Sequence, residues 1–207
     1  MILLASLEAL EVKKIVVNRM GVREGVFLSD LLRNFNLKFP SNFKLNQRVL
    51  LDRFAEVPKV HNYYQNIANK LYDIVCSDKE YKEIVSFCSK LLLINSLNFY
   101  SWIEFLSFGY THQEKVTIAY LMQSYADEEL DEKLYKKYMT LLPSFKSLKE
   151  LFFIFELTTI LAQDMNIQKV DIKREDDTIY IDMQLSSLSI DRIKDLDSPY
   201  KITIRKK

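Results

Sequence analysis

The chain has 207 residues, enough for one large domain or two small ones. Apolar residues make up 48% of it, and 29 basic side chains nearly cancel 28 acidic ones to leave a formal charge of +1. That balance excludes a general attraction to nucleic acid or to an anionic membrane, so any anion binding must come from a few locally placed cations.

Residues 1–10 carry apolar side chains at helical spacing, predicting a short amphipathic helix. They have no basic leader region and no small-residue cleavage site, so they do not read as a signal peptide. The β-branched stretch Lys14-Ile15-Val16-Val17-Asn18 predicts a strand, followed by a turn at residues 18–21 and a helix from Arg23 to Leu32. Helix, strand, glycine turn and helix form the closing piece of an α/β unit, and no neighbouring strand follows to pair with it. The expectation is that the rest of that unit precedes this segment.

Residues 36–46 have little pattern and contain Pro40 and Ser41, predicting a linker. Helices are predicted over residues 47–56, 58–76, 79–93, 98–108, 112–125, 131–141 and 147–164. Pro58 suits a first helical turn, Thr111 with Glu114 makes a capping box, and Ser144 and Ser147 are alternative caps for the long helix. After Met165 the pattern alternates: residues 169–173 and 178–182 predict a β-hairpin, with Arg174-Glu175-Asp176-Asp177 as its turn. A short helix at 190–196 and a strand at 200–204 complete the chain, and Arg205-Lys206-Lys207 is a basic tail too short to imply a partner.

No apolar run reaches membrane length, because the oiliest stretch, 148–162, is broken by Lys149, Glu150, Glu156 and two threonines. Cys76 and Cys88, twelve positions apart in helical patterns, read as reduced core residues of a cytoplasmic protein.

The chain has three glycines, and two of them fall in Gly21-Val22-Arg23-Glu24-Gly25-Val26. This run resembles the Gly-(Leu/Val)-Arg-Glu-Gly segment of the exopolyphosphatase and guanosine-pentaphosphate phosphatase family. The flanking apolar helix, short strand and leucine-rich helix agree with it over Ile2 to Leu32. The likeness is looser over residues 46–164, carried by helix order and by Asp52-Arg53-Phe54 followed by His61, Ala68 and Leu71.

The resemblance implies a mainly α fold. An HD-like helical bundle (residues 47–165) follows a remnant of an actin-like, ribonuclease H-like lobe (1–35) and the linker (36–46). A small α+β C-terminal subdomain (166–207) closes the chain.

The motif has a physical logic of its own. Gly21 permits a sharp turn, and the amides that follow lie at a helix N-terminus, where anions are favoured. Arg23 offers a planar cation for bidentate contact with phosphate, Glu24 suits the helix dipole and can orient Arg23, and Gly25 allows close approach. These four residues are the candidate phosphate-binding set. The bland alternative is a surface pair of Arg23 with Glu24 on a glycine turn.

In the family, glycine-rich phosphate loops, a magnesium site and a base all lie in N-terminal lobes. Gly109 is the one glycine left in this chain, so no second loop exists and the chain alone is expected to be inactive. HD domains can carry a metal on converging His and Asp side chains. His61 resembles the first ligand position, but the expected His-Asp pair is replaced by Leu91-Leu92-Leu93-Ile94-Asn95, and His61 is at most a remnant. No metal site is expected, and His112 reads as a first-turn residue.

The resemblance thus implies the C-terminal region of a phosphoanhydride hydrolase acting on polyphosphate or guanosine pentaphosphate. It would form part of the polyphosphate cleft and a homodimer interface beside the actin-like lobes of the same protein. The other reading is a non-catalytic module derived from an HD-type domain that binds a ligand or partner. The acidic run at 127–132 reads as a solvated face, and the aromatic clusters at 63–64, 99–102 and 152–155 read as packing.

Overall fold

The computed structural model describes residues 22–31, 58–76, 80–94, 97–106, 110–164 and 170–205, with isolated positions 9, 11 and 33. The chain forms two compact units, residues 1–40 and 41–207. Among the described residues it is mainly helical, with eight helices and one three-stranded sheet. The expected elements at 1–10, 14–18 and 47–56 lie almost wholly outside the described residues.

In the first unit, α1 spans Val22–Leu31, one residue earlier at each end than the expected Arg23–Leu32. Its first and last turns are solvated at Arg23 and Asp30, and Asp30 accepts a hydrogen bond from exposed Arg33 at 2.6 Å.

The second unit opens its described part with α2 (Pro58–Val75), whose first residue is the predicted proline. Tyr64, Ile67, Ala68, Leu71, Tyr72 and Val75 recur at three- and four-residue steps and are all buried. The same periodicity turns Ile84, Val85, Phe87, Cys88 and Leu91 of α3 (Lys82–Leu91) inward. Asn98 caps the short α4 (Phe99–Phe105) by accepting from the Ser101 amide at 2.9 Å.

The predicted capping box starts α5 (His112–Ala126): Thr111 Oγ1 accepts from the Glu114 amide at 3.2 Å, and Glu114 Oε2 accepts from the Thr111 amide at 2.6 Å. Asp131 caps α6 (Glu132–Tyr138), a surface helix with no buried residue. Of the two candidate caps for α7 (Phe145–Gln163), Ser144 is used, so this helix begins two residues before the expected 147. Both α5 and α7 are buried on nearly every side from 116 to 122 and from 153 to 161, which makes them the interior helices. Around α7 pack α2, α3, α5 and α8 (Ser187–Lys194).

The hairpin β1 (Asp171–Glu175) and β2 (Thr178–Asp182) pairs Asp171 with Asp182 and Glu175 with Thr178. Its turn is tighter than the four residues expected. Arg174 and Glu175 remain in the strand, and Asp176 takes a left-handed φ of 52°, a conformation Asp tolerates. β3 (Lys201–Arg205) runs parallel to β2, with Ile179 opposite Ile202 and Ile181 opposite Ile204. A parallel neighbour requires a crossover, and α8 occupies it. Ser186 caps α8 and starts it three residues before the expected 190.

One apolar core joins the helices to the sheet, running from Leu71, Leu91 and Trp102 through Leu157 to Ile172, Ile179 and Ile181. Side chains fasten β1 to the end of α2. Lys70 Nζ donates to Val170 O at 3.1 Å, and an Arg174 terminal nitrogen donates to Ile74 O at 3.3 Å and Val75 O at 3.2 Å.

Candidate functional site

Arg23 lies in the first turn of α1 and is exposed, while Glu24 and Gly25 take up the same helical turn. Gly21 and the side chain of Glu24 lie outside the described residues. A cation stands in solvent at the positive end of a helix dipole, with a side chain of the type that grips phosphate through two nitrogens.

His61 falls in the first turns of α2, with its side chain outside the described residues. The segment where an HD domain would carry its His-Asp pair is apolar and largely interior: Leu91, Leu92 and Ile94 are buried, and Leu93 is exposed. His112 is the first residue of α5 and is exposed. Among the described residues no three His, Cys, Asp or Glu side chains converge closely enough to hold a metal ion. Cys76 is half-buried and Cys88 buried, both as thiols, and burial pushes the Cys88 thiol up.

Sequence reasoning passed over Glu156, counting it as an interruption in the oily stretch. It is half-buried on α7 between buried Phe155 and Leu157. Burial pushes its carboxyl up to about 7, and the negative charges of Asp197 and Glu128 add to the shift.

One turn further along α7, Thr159 Oγ1 lies 2.7 Å from the Tyr125 hydroxyl and donates to Phe155 O at 3.0 Å. A turn beyond that, Gln163 Oε1 accepts from an Arg192 terminal nitrogen at 2.5 Å. Burial raises Tyr125, while the Thr159 hydrogen bond and Arg192 pull it down. Tyr64 on α2 is likewise raised by burial and Tyr125, and lowered by Arg192.

Glu156, Thr159 and Gln163 thus make a polar stripe along α7 by helical spacing, with Tyr125 of α5 against Thr159 and Arg192 of α8 against Gln163. The signal in the sequence was one carboxylate within Leu151–Leu161, where every other charged residue is absent.

No protein-family model matches the chain, and no curated protein matches it. None of the described helices is long and apolar enough to cross a bilayer.

Proposed function

We propose that the chain is the C-terminal region of an exopolyphosphatase or guanosine-pentaphosphate phosphatase-type hydrolase. In that reading it contributes a phosphate contact at the start of α1 and a non-catalytic, HD-like helical domain. The observation that carries the reading is Arg23, solvated in the first helical turn after Gly21, within the run from Gly21 to Gly25 that resembles the family motif.

The buried leucines of residues 91–92 support the non-catalytic part, because aliphatic side chains there leave no ligands for a metal. Chemistry, with magnesium, then belongs to the actin-like lobes of the longer protein, and the substrate is polyphosphate or guanosine pentaphosphate. Dimer formation by the helical domain belongs to the same reading.

Phosphate release from polyphosphate tests it. The present chain releases none, whereas the longer protein does. In the longer protein Arg23→Ala lowers kcat/KM by about 5- to 150-fold, corresponding to loss of about 1–3 kcal/mol from a charged hydrogen bond. Unchanged kinetics would remove Arg23 from the site. Phosphate release by the present chain alone would instead favour an independent hydrolase. A second reading, a non-catalytic ligand- or partner-binding regulatory module derived from an HD-type domain, draws on the same aliphatic segment and predicts no effect of Arg23 on phosphate-chain binding.

A further inference from the structure

The two edges of the C-terminal sheet are built differently. On β1, Asp171, Lys173, Arg174 and Glu175 are exposed charges, a common protection against unwanted strand pairing, and α2 packs against that strand. On β3 the three central residues, Ile202, Thr203 and Ile204, are uncharged, β-branched and half-buried.

The ladder fixes which way the backbone of β3 points. The Lys201 amide donates to Asp177 O at 2.9 Å, and Arg205 O accepts from the Met183 amide at 3.2 Å, so residues 201, 203 and 205 turn toward β2. Ile202 and Ile204 therefore direct their amides and carbonyls to the opposite side, where no strand pairs among the described residues. Their side chains continue the inner face formed by Ile179 and Ile181, which are fully buried, but Ile202 and Ile204 are left partly open.

We propose that this edge takes up an extended segment of a partner protein as a fourth strand. The segment carries carboxylates at two positions four residues apart and apolar side chains between them. The apolar residues would lie beside Ile202 and Ile204. The carboxylates would face Lys201 and Arg205, which are exposed and bracket the strand on its other face. The Arg205 guanidinium rests 3.8 Å over the ring of Tyr180 on β2 and would swing outward to meet a carboxylate. Asp182 stands beside Arg205 in register and Asp177 adjoins Lys201 through the backbone bond, so the acidic preference rests on the exposure of the two cations rather than on a local excess of positive charge.

The same charges select against a second copy of this chain. Antiparallel self-pairing about Thr203 would set Lys201 opposite the other copy's Arg205 twice, and like charges directly opposite are destabilising.

The test titrates the whole chain into a labelled peptide that alternates glutamate with valine, and into its lysine–valine counterpart, with fluorescence anisotropy as the readout. The chain binds the acidic peptide and not the basic one. Ile204→Pro weakens binding at least tenfold, because it deletes an outward amide and leaves the β2 ladder intact. The double variant Lys201→Glu/Arg205→Glu reverses the preference and does not depend on the proline variant folding. The proposal is overturned by failure of the acidic peptide to bind the unmodified chain, or by an unchanged preference in the double variant. It is overturned equally by a dimer in sedimentation that Ile204→Pro dissociates, since the edge would then belong to a second copy.

Discussion

Glu156 carries a proton more firmly in the folded chain than in the unfolded one, and this gives its ionisation a cost that depends on pH. Its ordinary value of 4.5 is raised to about 7, chiefly because burial penalises the charged form. Between those two values the folded state holds the proton while the unfolded state releases it, so stability falls as pH rises through that window. Below pH 4.5 both states are protonated and the effect vanishes. Glu156→Gln removes the charge while keeping shape and hydrogen-bonding capacity. At pH 8 the variant should be more stable than the parent by about 1–2 kcal/mol, allowing for the water that reaches a half-buried carboxylate, and at pH 4 the two should coincide. Urea denaturation at both pH values measures this. Equal stability at pH 8 would mean that the carboxylate is better solvated than its surroundings indicate.

Elements whose ends are written in local chemistry were legible before any coordinates. The Thr111 and Glu114 box, the Pro58 start and the β-branched alternation of 178–182 each act within a few residues, and helices and strands follow them closely. Two other starts were less legible: α7 uses Ser144 of its two candidate serines, and α8 begins at Ser187 after Ser186, earlier than the expected 190. The fastening of sheet to bundle was not legible at all. Arg174 read as a turn residue, yet it reaches a hundred residues back to the last carbonyls of α2, which a helix C-terminus leaves unpaired. It also stacks 4.6 Å over the Tyr200 ring, whose hydroxyl donates to Val75 O at 3.3 Å. Glu156 was missed for the same reason, since its carboxylate neighbours come from distant elements. Arg174→Met should cost about 1–2 kcal/mol in urea denaturation, through lost hydrogen bonds and lost charge at a helix end. Arg174→Lys should recover only part of it, because an ammonium cannot span two carbonyls and a ring as a planar guanidinium does. Full recovery with lysine would show that charge alone matters there.

At the scale of the larger unit, the question is whether the C-terminal sheet stands on its own or shares its fate with the helices. A three-stranded sheet of five-residue strands buries little by itself, and its inner isoleucines have to find their partners elsewhere. Ile172, Ile179 and Ile181 belong to the same apolar cluster as Leu157 and Trp102, and α8 in the β2–β3 crossover packs on the central helix α7. Such continuity predicts a single cooperative transition. Trp102 is the sole tryptophan of the chain and is only 1% exposed, so its fluorescence reports on the helical side of the core, remote in sequence from the sheet. Ile179→Ala removes three buried heavy atoms from the middle of β2 and should destabilise by about 2–5 kcal/mol. With one shared core, the Trp102 transition and the far-ultraviolet helical signal shift together to lower urea by the same amount. If the sheet were an independent folding unit, the substitution would leave the Trp102 transition where it was while the strands melted early. The packing of α8 against α7 argues for the first outcome, because the crossover between β2 and β3 cannot leave the bundle without exposing Ile193 and the flank of α7.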